Sequence, residues 1–489
     1  MSSETPTKPK EVALSKGRDG HFSAWLPPLL VGVLSVLAIG GAERLLRSLS
    51  PETLADGYRV QDWSSNWMMQ TLGIEDMLIQ GPSALWLNHV YPPLLDVIRL
   101  SIAWPQADLD ISLLQTLVDM KLYDLYAVLF GIVNVVLFLW VRSLTRSQWW
   151  AVGVTVIWAI MPGYVMTMTL LDPSPLSMTF ITASLFFLFL FLQSRRLGYA
   201  TGFFASLLLA SLSRSVTQPH VLVIVLLSAV VFWLMAERRN WLLMVANLAL
   251  VALMFVMPIK QHALFATFDT TSFGGYHRVG MLWIAPSTVA TDPTPQYAID
   301  NALAFTSRYN TQTNVRDNYR LNEEANNFIR EQPVQAALNL GRSLGVTVPE
   351  LLRPASSYTQ NYLVEKMPWR VAFDWVFSGW RYIALVGVAL LLIVRQRGVK
   401  SSVRLARRYG WFFVFFALVA LPILFSNRFR PEDESLGPIW TDASRQKVFL
   451  EVPVFVMLTY AAWLTVVSAR KKKLLSRSDG KVESPVLQS

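Results

Sequence analysis

Two aspartates close to the first long apolar run have the residue type and setting of a general base. Asp56 and Asp62 lie in the segment DGYRVQDWSSNW, which also contains tyrosine and tryptophan. Partial burial among aromatic rings raises the proton affinity of a carboxyl group, which suits it to take a proton from a hydroxyl group near neutral pH. Acids in such a loop more often cap short helices, and the spacing alone does not separate the two interpretations.

A histidine and further aspartates occupy two later loops. His89 and Asp96 flank a Tyr-Pro-Pro-Leu motif, in which the prolines fix φ and predict that a helix begins after an extended segment. Asp172 lies in the short link LLDPSPLS between two apolar runs. It is able to cap the following helix as an N-terminal acid or to face a cleft shared with Asp62, and the sequence leaves both open.

Three cations in short loops complete the set of candidate residues. Arg214 lies in the link SLSRSVTQPH, and Arg445 and Lys447 come directly before the last apolar run. A guanidinium group binds a phosphate through paired hydrogen bonds, so these positions predict a phosphate-binding site. Arg214 is equally able to extend toward lipid headgroups, and many charges of the last loop are expected to form solvated ion pairs.

Several catalytic centres are excluded by the composition and the motifs. The chain contains no Cys, which excludes disulfides, thiolate metal sites and cysteine nucleophiles. It also lacks a Gly-rich phosphate loop, a His-Glu-x-x-His pair and a serine nucleophile elbow, so ATP hydrolysis, zinc proteolysis and serine hydrolysis are not expected. The formal net charge of +10 resides mainly in short loops and at the chain ends, which indicates membrane topology and not binding to nucleic acid.

The elements that must position these residues are membrane-spanning helices. Of the 489 residues, 53% are hydrophobic and only 16% are charged, whereas a soluble domain carries about 25% charged residues. The apolar residues form runs of about 16 to 22, each able to cross a hydrocarbon core of about 30 Å as a helix. We predict an all-α polytopic membrane protein with about ten transmembrane helices, at residues 24–42, 124–141, 149–170, 176–193, 198–213, 219–236, 241–258, 375–394, 410–425 and 448–468. They group as helices one to seven in 24–258 and helices eight to ten in 373–469.

Basic clusters follow every second apolar run, as the positive-inside rule expects of cytoplasmic loops. They lie after runs two, four, six, eight and ten, at Arg142 and Arg146, Arg195 and Arg196, Arg238 and Arg239, Arg395 to Arg408, and Arg470 to Lys473. This alternation predicts a multi-pass protein of the inner (plasma) membrane with both termini, residues 1–23 and 470–489, in the cytoplasm. The candidate residues named above then lie at the outer face.

Two long segments are predicted at the outer face, residues 45–122 after the first helix and residues 259–372 after the seventh. Within the second, residues 318–343 have apolar residues at helical spacing, interrupted at Pro333. This pattern predicts two amphipathic helices on the outer face. No internal repeat is visible, which argues against a transporter built from repeated halves.

The order of these motifs resembles the GT-C superfamily of membrane glycosyltransferases, which includes protein O-mannosyltransferases and the bacterial aminoarabinose transferases of lipid A. The shared features are an acid after the first helix at Asp62, the Pro92-Pro93-Leu94 start of an outer helix, and Asp172 in the second outer loop. Residues 322–344, NEEANNFIREQPVQAALNLGRSL, resemble an outer-helix stretch of the bacterial branch. Arg445 resembles the cation that precedes the last helices in many members.

The chain departs from the family pattern at three motifs. The family acid is usually Asp-Glu, where this chain has Asp62-Trp63, and the Pro-Pro-Leu element usually follows His or Lys, where this chain has Tyr91. The family's Thr-Lys-Pro after the fifth helix stands here as Thr217-Gln218-Pro219, which removes a cation unless Arg214 replaces it.

The resemblance implies a transferase that takes a sugar from a polyprenyl-phosphate donor, with inversion, at the outer face. Asp62 would be the general base, with Asp56 the next candidate, and Asp172 would orient the acceptor or help to hold a divalent cation. Asp56 and His89 would also line the substrate site. The donor phosphate would lie near Arg214, Arg445 or Lys447, where the charge of the leaving group develops.

Two other classes of function remain as alternatives. A lipid or polysaccharide transporter predicts polar residues along a path inside the spans, whereas the ionisable residues here gather near the outer ends of the runs. A surface-polysaccharide polymerase or ligase would share the lipid-linked donor, and it would be expected to carry an Arg-rich site in its large outer loop. In each case the partners are membrane lipids together with a lipid, glycan or protein acceptor.

Overall fold

The computed structural model describes residues 20–49, 60, 64–67, 71–215, 219–284, 293–302, 310–357, 361–424, 427–428, 440–441 and 448–479. In these residues the chain is almost entirely helical. The helices are α1 Gly20–Leu49, α2 Ile74–Gln80, α3 Pro82–Leu87, α4 Leu94–Ala103, α5 Ile111–Thr145, α6 Gln148–Ala159, α7 Pro162–Met168, α8 Ser174–Ser194, α9 Leu197–Ser213, α10 Pro219–Met235, α11 Trp241–Phe265, α12 Gly274–Leu282, α13 Gln296–Asn301, α14 Gln312–Glu331, α15 Pro333–Leu351, α16 Tyr362–Glu365, α17 Arg370–Val376, α18 Gly379–Arg397, α19 Val399–Arg408, α20 Gly410–Leu424 and α21 Val448–Asp479. Two strands of two residues each, β1 Asn427–Arg428 and β2 Trp440–Thr441, pair antiparallel.

Six of the described helices are long and apolar enough to cross a membrane, which identifies an all-α multi-pass membrane protein. These candidate spans are Leu26–Leu46, Ile111–Thr145, Ser174–Ser194, Trp241–Phe265, Gly379–Arg397 and Val448–Arg470. A seventh is formed by α6 and α7 if this bent pair is one span. The other three predicted spans correspond to shorter apolar helices of 10–17 residues, within α9, α10 and α20.

The apolar run predicted at 149–170 is divided by a bend. The axes of α6 and α7 differ by 69°, and Pro162 is the first residue of α7. Proline has no N–H to donate to the preceding turn, so a helix that reaches it ends or bends there. The bend brings Gly163 against Ala355, whose Cβ lies 2.9 Å from the position that a Cβ on Gly163 would take.

The first span packs directly on α5 because two glycines face each other. A Cβ on Gly131 would lie 2.9 Å from the carbonyl oxygen of Gly32 and 2.6 Å from Cγ2 of Val36. Small residues allow this close backbone approach, which is a common way for helices to associate in lipid. The contact fixes α1 beside the helix that carries much of the site described below.

The predicted outer segment 259–372 contains several helices, and the break at Pro333 is where the sequence indicates it. Helices α14 and α15 are separated at Gln332. They pack on α12 through a small apolar core of Val279, Leu282, Leu321, Ala325 and Ala336. Gly275 of α12 approaches α14 so closely that a Cβ there would lie 2.5 Å from the carbonyl oxygen of Asn318.

Candidate functional site

An aspartate and an arginine meet at one serine where α8 begins. Oδ1 of Asp172 accepts a hydrogen bond from the backbone N–H of Ser174 (2.7 Å), the first residue of α8, where the N–H groups have no partner within the helix. Arg214 follows α9, and its Nη1 donates to Oγ of Ser174 (3.0 Å). Asp172 is 0% exposed and Arg214 is 6% exposed, so both charged groups lie inside the bundle. We call this end of the bundle the Asp172 end.

The last span begins beside the same arginine. The guanidinium of Arg214 lies 5.7 Å from the centre of the Phe449 ring, in the first turn of α21. A hydrogen bond of 3.0 Å between the hydroxyl groups of Ser177 and Ser213 joins α8 to the end of α9. Arg214 is therefore held among three helices, and it does not extend to the lipid surface.

Helix α5 contributes a row of three polar side chains to this end. Asp119, Tyr123 and Tyr126 follow each other at intervals of four and three residues, so they share one face of the helix. All three are buried. The hydroxyl of Tyr126 donates to the backbone carbonyl oxygen of Asp172 (2.9 Å), which connects this row to the Asp172–Arg214 pair.

The row also binds the loop that follows α1. The hydroxyl of Tyr123 accepts from the N–H of Val60 (2.8 Å), and Oδ1 of Asp119 accepts from the N–H of Ser65 (3.1 Å). Two points of the loop are therefore attached to neighbouring turns of α5. Asp62 is between them in sequence but lies outside the described residues.

A buried ion pair stabilises the same loop from the other side. Nη1 of Arg99 lies 2.8 Å from Oδ1 of Asp96, and the side chains are 0% and 1% exposed. Arg99 also donates to the carbonyl of Leu72 (2.7 Å), to Oδ1 of Asn66 (2.9 Å) and to Oγ of Ser65 (3.2 Å). Burial raises the pKa of Asp96, while the charge of Arg99 acts against that rise. With its donors used by the protein, Arg99 is a positioning residue.

His89 lies in a separate buried polar cluster and contacts the segment after α11. Its Nδ1 is 2.7 Å from Oγ of Ser272, which also accepts from Nδ2 of Asn314 (2.9 Å). The ring packs on Phe265 with 5.0 Å between the ring centres. Burial, assisted by the positive charge of Lys260, lowers the pKa of His89 to about 3, so the imidazole is neutral near pH 7.

Several polar atoms around His89 have no partner within the described part of the chain. The N–H of His89 donates to Oδ1 of Asn310 (3.0 Å), and its carbonyl accepts from Nε2 of Gln261 (2.9 Å). The remaining atoms of these groups, Nε2 of His89, Nδ2 of Asn310 and Oε1 of Gln261, are buried and make no hydrogen bond to described residues. Buried polar atoms are normally satisfied, so this polar cluster has donors and acceptors left for a hydroxylated ligand or water.

Lys260 is a buried cation beside this polar cluster, and the sequence did not mark it as a candidate. Its Nζ donates to the carbonyl of Asn88 (2.5 Å) and lies 6.0 Å from the ring centre of Trp86. It is 4% exposed, and no carboxylate forms an ion pair with it in the described ranges. The sequence indicated a helix ending at residue 258, whereas α11 continues to Phe265. A lysine close to the end of an apolar helix was the available signal.

The structure therefore groups some of the predicted site residues and leaves others outside its description. Asp172 and Arg214 contact the same serine, and His89 lies in a separate polar cluster beside Lys260. Asp56, Asp62, Arg445 and Lys447 lie outside the described residues. Among the described residues there is no group of three His, Asp or Glu side chains that could hold a metal ion.

No family model, curated protein or solved structure matches this chain. A function is therefore proposed from the geometry described above and from the motifs of the sequence.

Proposed function

We propose that the protein transfers a sugar from a polyprenyl-phosphate donor to a lipid, glycan or protein acceptor at the outer face of the membrane, as the resemblance to the GT-C superfamily implies. The observation that carries the proposal is the contact of Asp172 and Arg214 with one buried residue, Ser174. A carboxylate and a guanidinium that contact the same residue, at the end of membrane-spanning helices, suit a reaction in which an acceptor hydroxyl group attacks the anomeric carbon of a sugar and a phosphate leaves.

We also propose that the chain crosses the inner (plasma) membrane ten times. The Asp172 end then lies at the outer face, and both termini lie in the cytoplasm. Six long helices, the bent pair α6 and α7, and the apolar helices α9, α10 and α20 together make ten. In support, Asp172 and Arg214 lie at one end of α8 and α9, and Arg195 with Arg196 lies between these helices at the other end. Basic residues mark cytoplasmic ends.

In the proposed reaction Asp62 is the general base. The acceptor oxygen attacks the anomeric carbon while its proton passes to the Asp62 carboxylate, and the bond between that carbon and the phosphate oxygen breaks with inversion. Val60 and Ser65, on either side of Asp62 in sequence, are bound to Tyr123 and Asp119 of α5. This attachment supports a role for the intervening residues near the face of α5 that contacts Asp172. Asp56 is the next candidate for the base.

The leaving polyprenyl phosphate keeps the electron pair of the broken bond, and its charge needs a cation. Arg214 is the described candidate, because it is buried and lies beside the first turn of α21. Arg445 and Lys447 directly precede that helix in sequence and are proposed to act with it. Asp172 is proposed to orient the acceptor. No step here uses a divalent cation.

The polar cluster around His89 is proposed to bind hydroxyl groups of the sugar or the acceptor. A neutral imidazole and two amide side chains provide donors and acceptors without net charge. Hydrogen bonds from a site of this kind discriminate strongly against ligands that lack the matching hydroxyl group.

One observation favours the transporter as a second candidate. Asn134 in α5 and Asn247 in α11 are 0% exposed, and both atoms of each amide have no partner among the described residues. Unpaired amides inside apolar helices are expected where a polar solute passes. Transfer of a labelled sugar from a lipid extract to an acceptor in detergent solution separates the two functions, because a detergent solution has no two sides.

Binding of the donor phosphate tests the proposal directly. Purified full-length protein is expected to be stabilised against heat by polyprenyl phosphate and not by the uncharged polyprenol of the same length. Arg214→Ala should weaken this binding at least about tenfold, as expected for loss of a charge-assisted contact. Arg330→Ala, at an exposed position of α14, is the matched control. Equal stabilisation by phosphate and alcohol would contradict the proposal.

A further inference from the structure

Three arginines lie at the end of the bundle opposite Asp172. Arg195 directly follows α8, in the left-handed backbone conformation (φ 55°). Arg408 ends α19, and its Nη2 donates to the carbonyl of Gln193 (2.7 Å) while its Nε donates to that of Leu192 (3.4 Å). The guanidinium of Arg408 is therefore held at the C-terminus of α8, next to Arg195. The third arginine, Arg397, ends α18.

Two tyrosines line the same region. Nη2 of Arg397 donates to the hydroxyl of Tyr460, and its guanidinium lies 5.3 Å from the centre of that ring. The ring of Tyr409 stacks on Phe189, with 5.4 Å between centres and 12° between planes. Burial raises the pKa of Tyr409, whereas the positive charges of Arg408, Arg397 and Arg195 act to lower it. All three guanidinium groups are thus within electrostatic range of one phenol. We call Arg195, Arg397, Arg408, Tyr409 and Tyr460 the arginine cluster.

No acid neutralises the arginine cluster in the part of the chain that the structure describes. The ion pairs of that part involve Arg99, Lys121, Arg320, Arg353 and Arg370. Glu237 donates its backbone N–H to the carbonyl of Arg195 (3.1 Å), but its side chain is exposed. The positive-inside rule needs basic residues on one side of the membrane and does not require them to be close together. Close like charges repel each other, so this arrangement favours a bound anion.

We propose that the arginine cluster binds the phosphate group of an anionic phospholipid at this surface of the membrane. Guanidinium groups and phenol hydroxyls are the donors that phosphate oxygens accept from. A lipid is favoured over a soluble phosphate because α8 and α18 are candidate spans and end at the cluster. Helix α19 also presents Val399 and Val403, 66% and 45% exposed, beside its basic residues. Such a helix lies in the interface between lipid and water. The proposal is independent of the proposed transferase function.

Native mass spectrometry of the detergent-purified full-length protein tests this site. The protein is titrated with phosphatidylglycerol or with phosphatidylcholine, and the affinity of the retained lipid is measured. One basic residue near an anionic membrane surface contributes about a fivefold change in affinity. Arg195→Gln and Arg408→Gln are each expected to lower the affinity for phosphatidylglycerol by about that factor, and Arg408→Lys should lower it less.

Arg404→Gln is the matched control, because Arg404 is exposed on α19 and does not belong to the arginine cluster. It should leave the affinity for phosphatidylglycerol unchanged. Equal loss in Arg404→Gln and Arg408→Gln would show attraction by overall charge and overturn the proposal, as would equal affinity for the two lipids. Displacement of phosphatidylglycerol by millimolar inorganic phosphate would overturn the choice of a lipid ligand. A folded state is verified for each variant by its melting temperature.

Discussion

Ser174 connects Asp172 to Arg214: its backbone N–H donates to the carboxylate, and its hydroxyl accepts from the guanidinium. The two charged residues belong to different loops, so their relative position depends on the packing of α8 and α9. Both groups are buried, and each has a role in the fold as well as a place in the candidate site. Substitutions must therefore separate an effect on folding from an effect on the reaction.

Replacement of Arg214 by lysine should affect donor binding more than folding. Lysine keeps the positive charge but loses the fork of donors that contacts Ser174 and is proposed to bind the phosphate as well. We expect KM for the polyprenyl-phosphate donor to rise about tenfold while the melting temperature changes little. The measurement is the rate of sugar transfer at varied donor concentration. An unchanged KM together with a large drop in melting temperature would assign Arg214 to the fold alone.

Replacement of Asp62 by asparagine should abolish most of the activity. The change removes the charge and the basic oxygen with little change in volume, so the protein should still insert and accumulate. Sugar transfer should fall by about two orders of magnitude or more, as for loss of a general base. Asp108→Asn, an exposed acid after the first span, is the control and should be as active as the unmodified protein. Normal activity of Asp62→Asn would move the base to another residue, with Asp56 tested next.

The proposed ten-span topology predicts the behaviour of two fusions. A reporter enzyme that works only outside the cytoplasm should be active when it is fused near residue 300 and inactive when it is fused after Lys473. The reason is the alternation of basic clusters, which assigns the two positions to opposite sides. Activity at the second position, or its absence at the first, would overturn the ten-span arrangement.

Removal of one partner of the Asp96–Arg99 pair should destabilise the protein strongly. Both side chains are buried, and an unpaired charge left in such a place costs about 3–5 kcal/mol. We expect Asp96→Leu to lower the melting temperature markedly. The double variant Asp96→Leu with Arg99→Met should recover a large part of the loss, because no buried charge remains. No recovery in the double variant would show that the hydrogen bonds of Arg99 to the loop matter more than its charge.

The buried His89 predicts a loss of stability in acid. Its pKa in the folded protein is about 3, below its ordinary value of 6.5, so between these values the unfolded chain binds a proton that the folded chain does not. Stability should be unaffected above about pH 6.5 and should fall below it by up to about 1.4 kcal/mol per pH unit. The melting temperature measured from neutral pH to about pH 5 reports this slope. His89→Gln should flatten it, whereas His262→Gln, at an exposed position, should retain it.

The helical architecture could be predicted from the sequence because lipid permits few alternatives. A run of apolar residues in a hydrocarbon core must satisfy its own peptide groups, and a helix is the structure that does so within one segment. The bend at Pro162 was not predicted, because the run 149–170 is apolar throughout and its length fits a single span. The break between α14 and α15 was predicted, since Pro333 interrupts a clear helical spacing.

The arrangement of residues in the candidate site could be predicted less fully from the sequence. The residue types at Asp172 and Arg214 marked them as candidates, but the sequence does not determine which loops of a bundle meet. The proximity of Asp172 and Arg214 arises from helix packing, here between α8 and α9. Lys260 and Arg99 were missed for another reason. Each belongs to a segment that the sequence assigned to the outer face, where basic residues are ordinarily solvated, and only the folded chain shows that both are buried.

Helix α5 has a further consequence because of its length. Its 35 residues extend about 52 Å, whereas the hydrocarbon core is about 30 Å thick. Roughly 20 Å of the same continuous helix therefore extends beyond the lipid, and Asp119 and Tyr123 lie in its first half. A thicker bilayer would cover more of α5 without changing the distances within the site. In the proposed transferase, the depth at which the lipid-linked donor meets these residues would then vary with the membrane, so the lipid composition would control access to a site whose geometry stays constant.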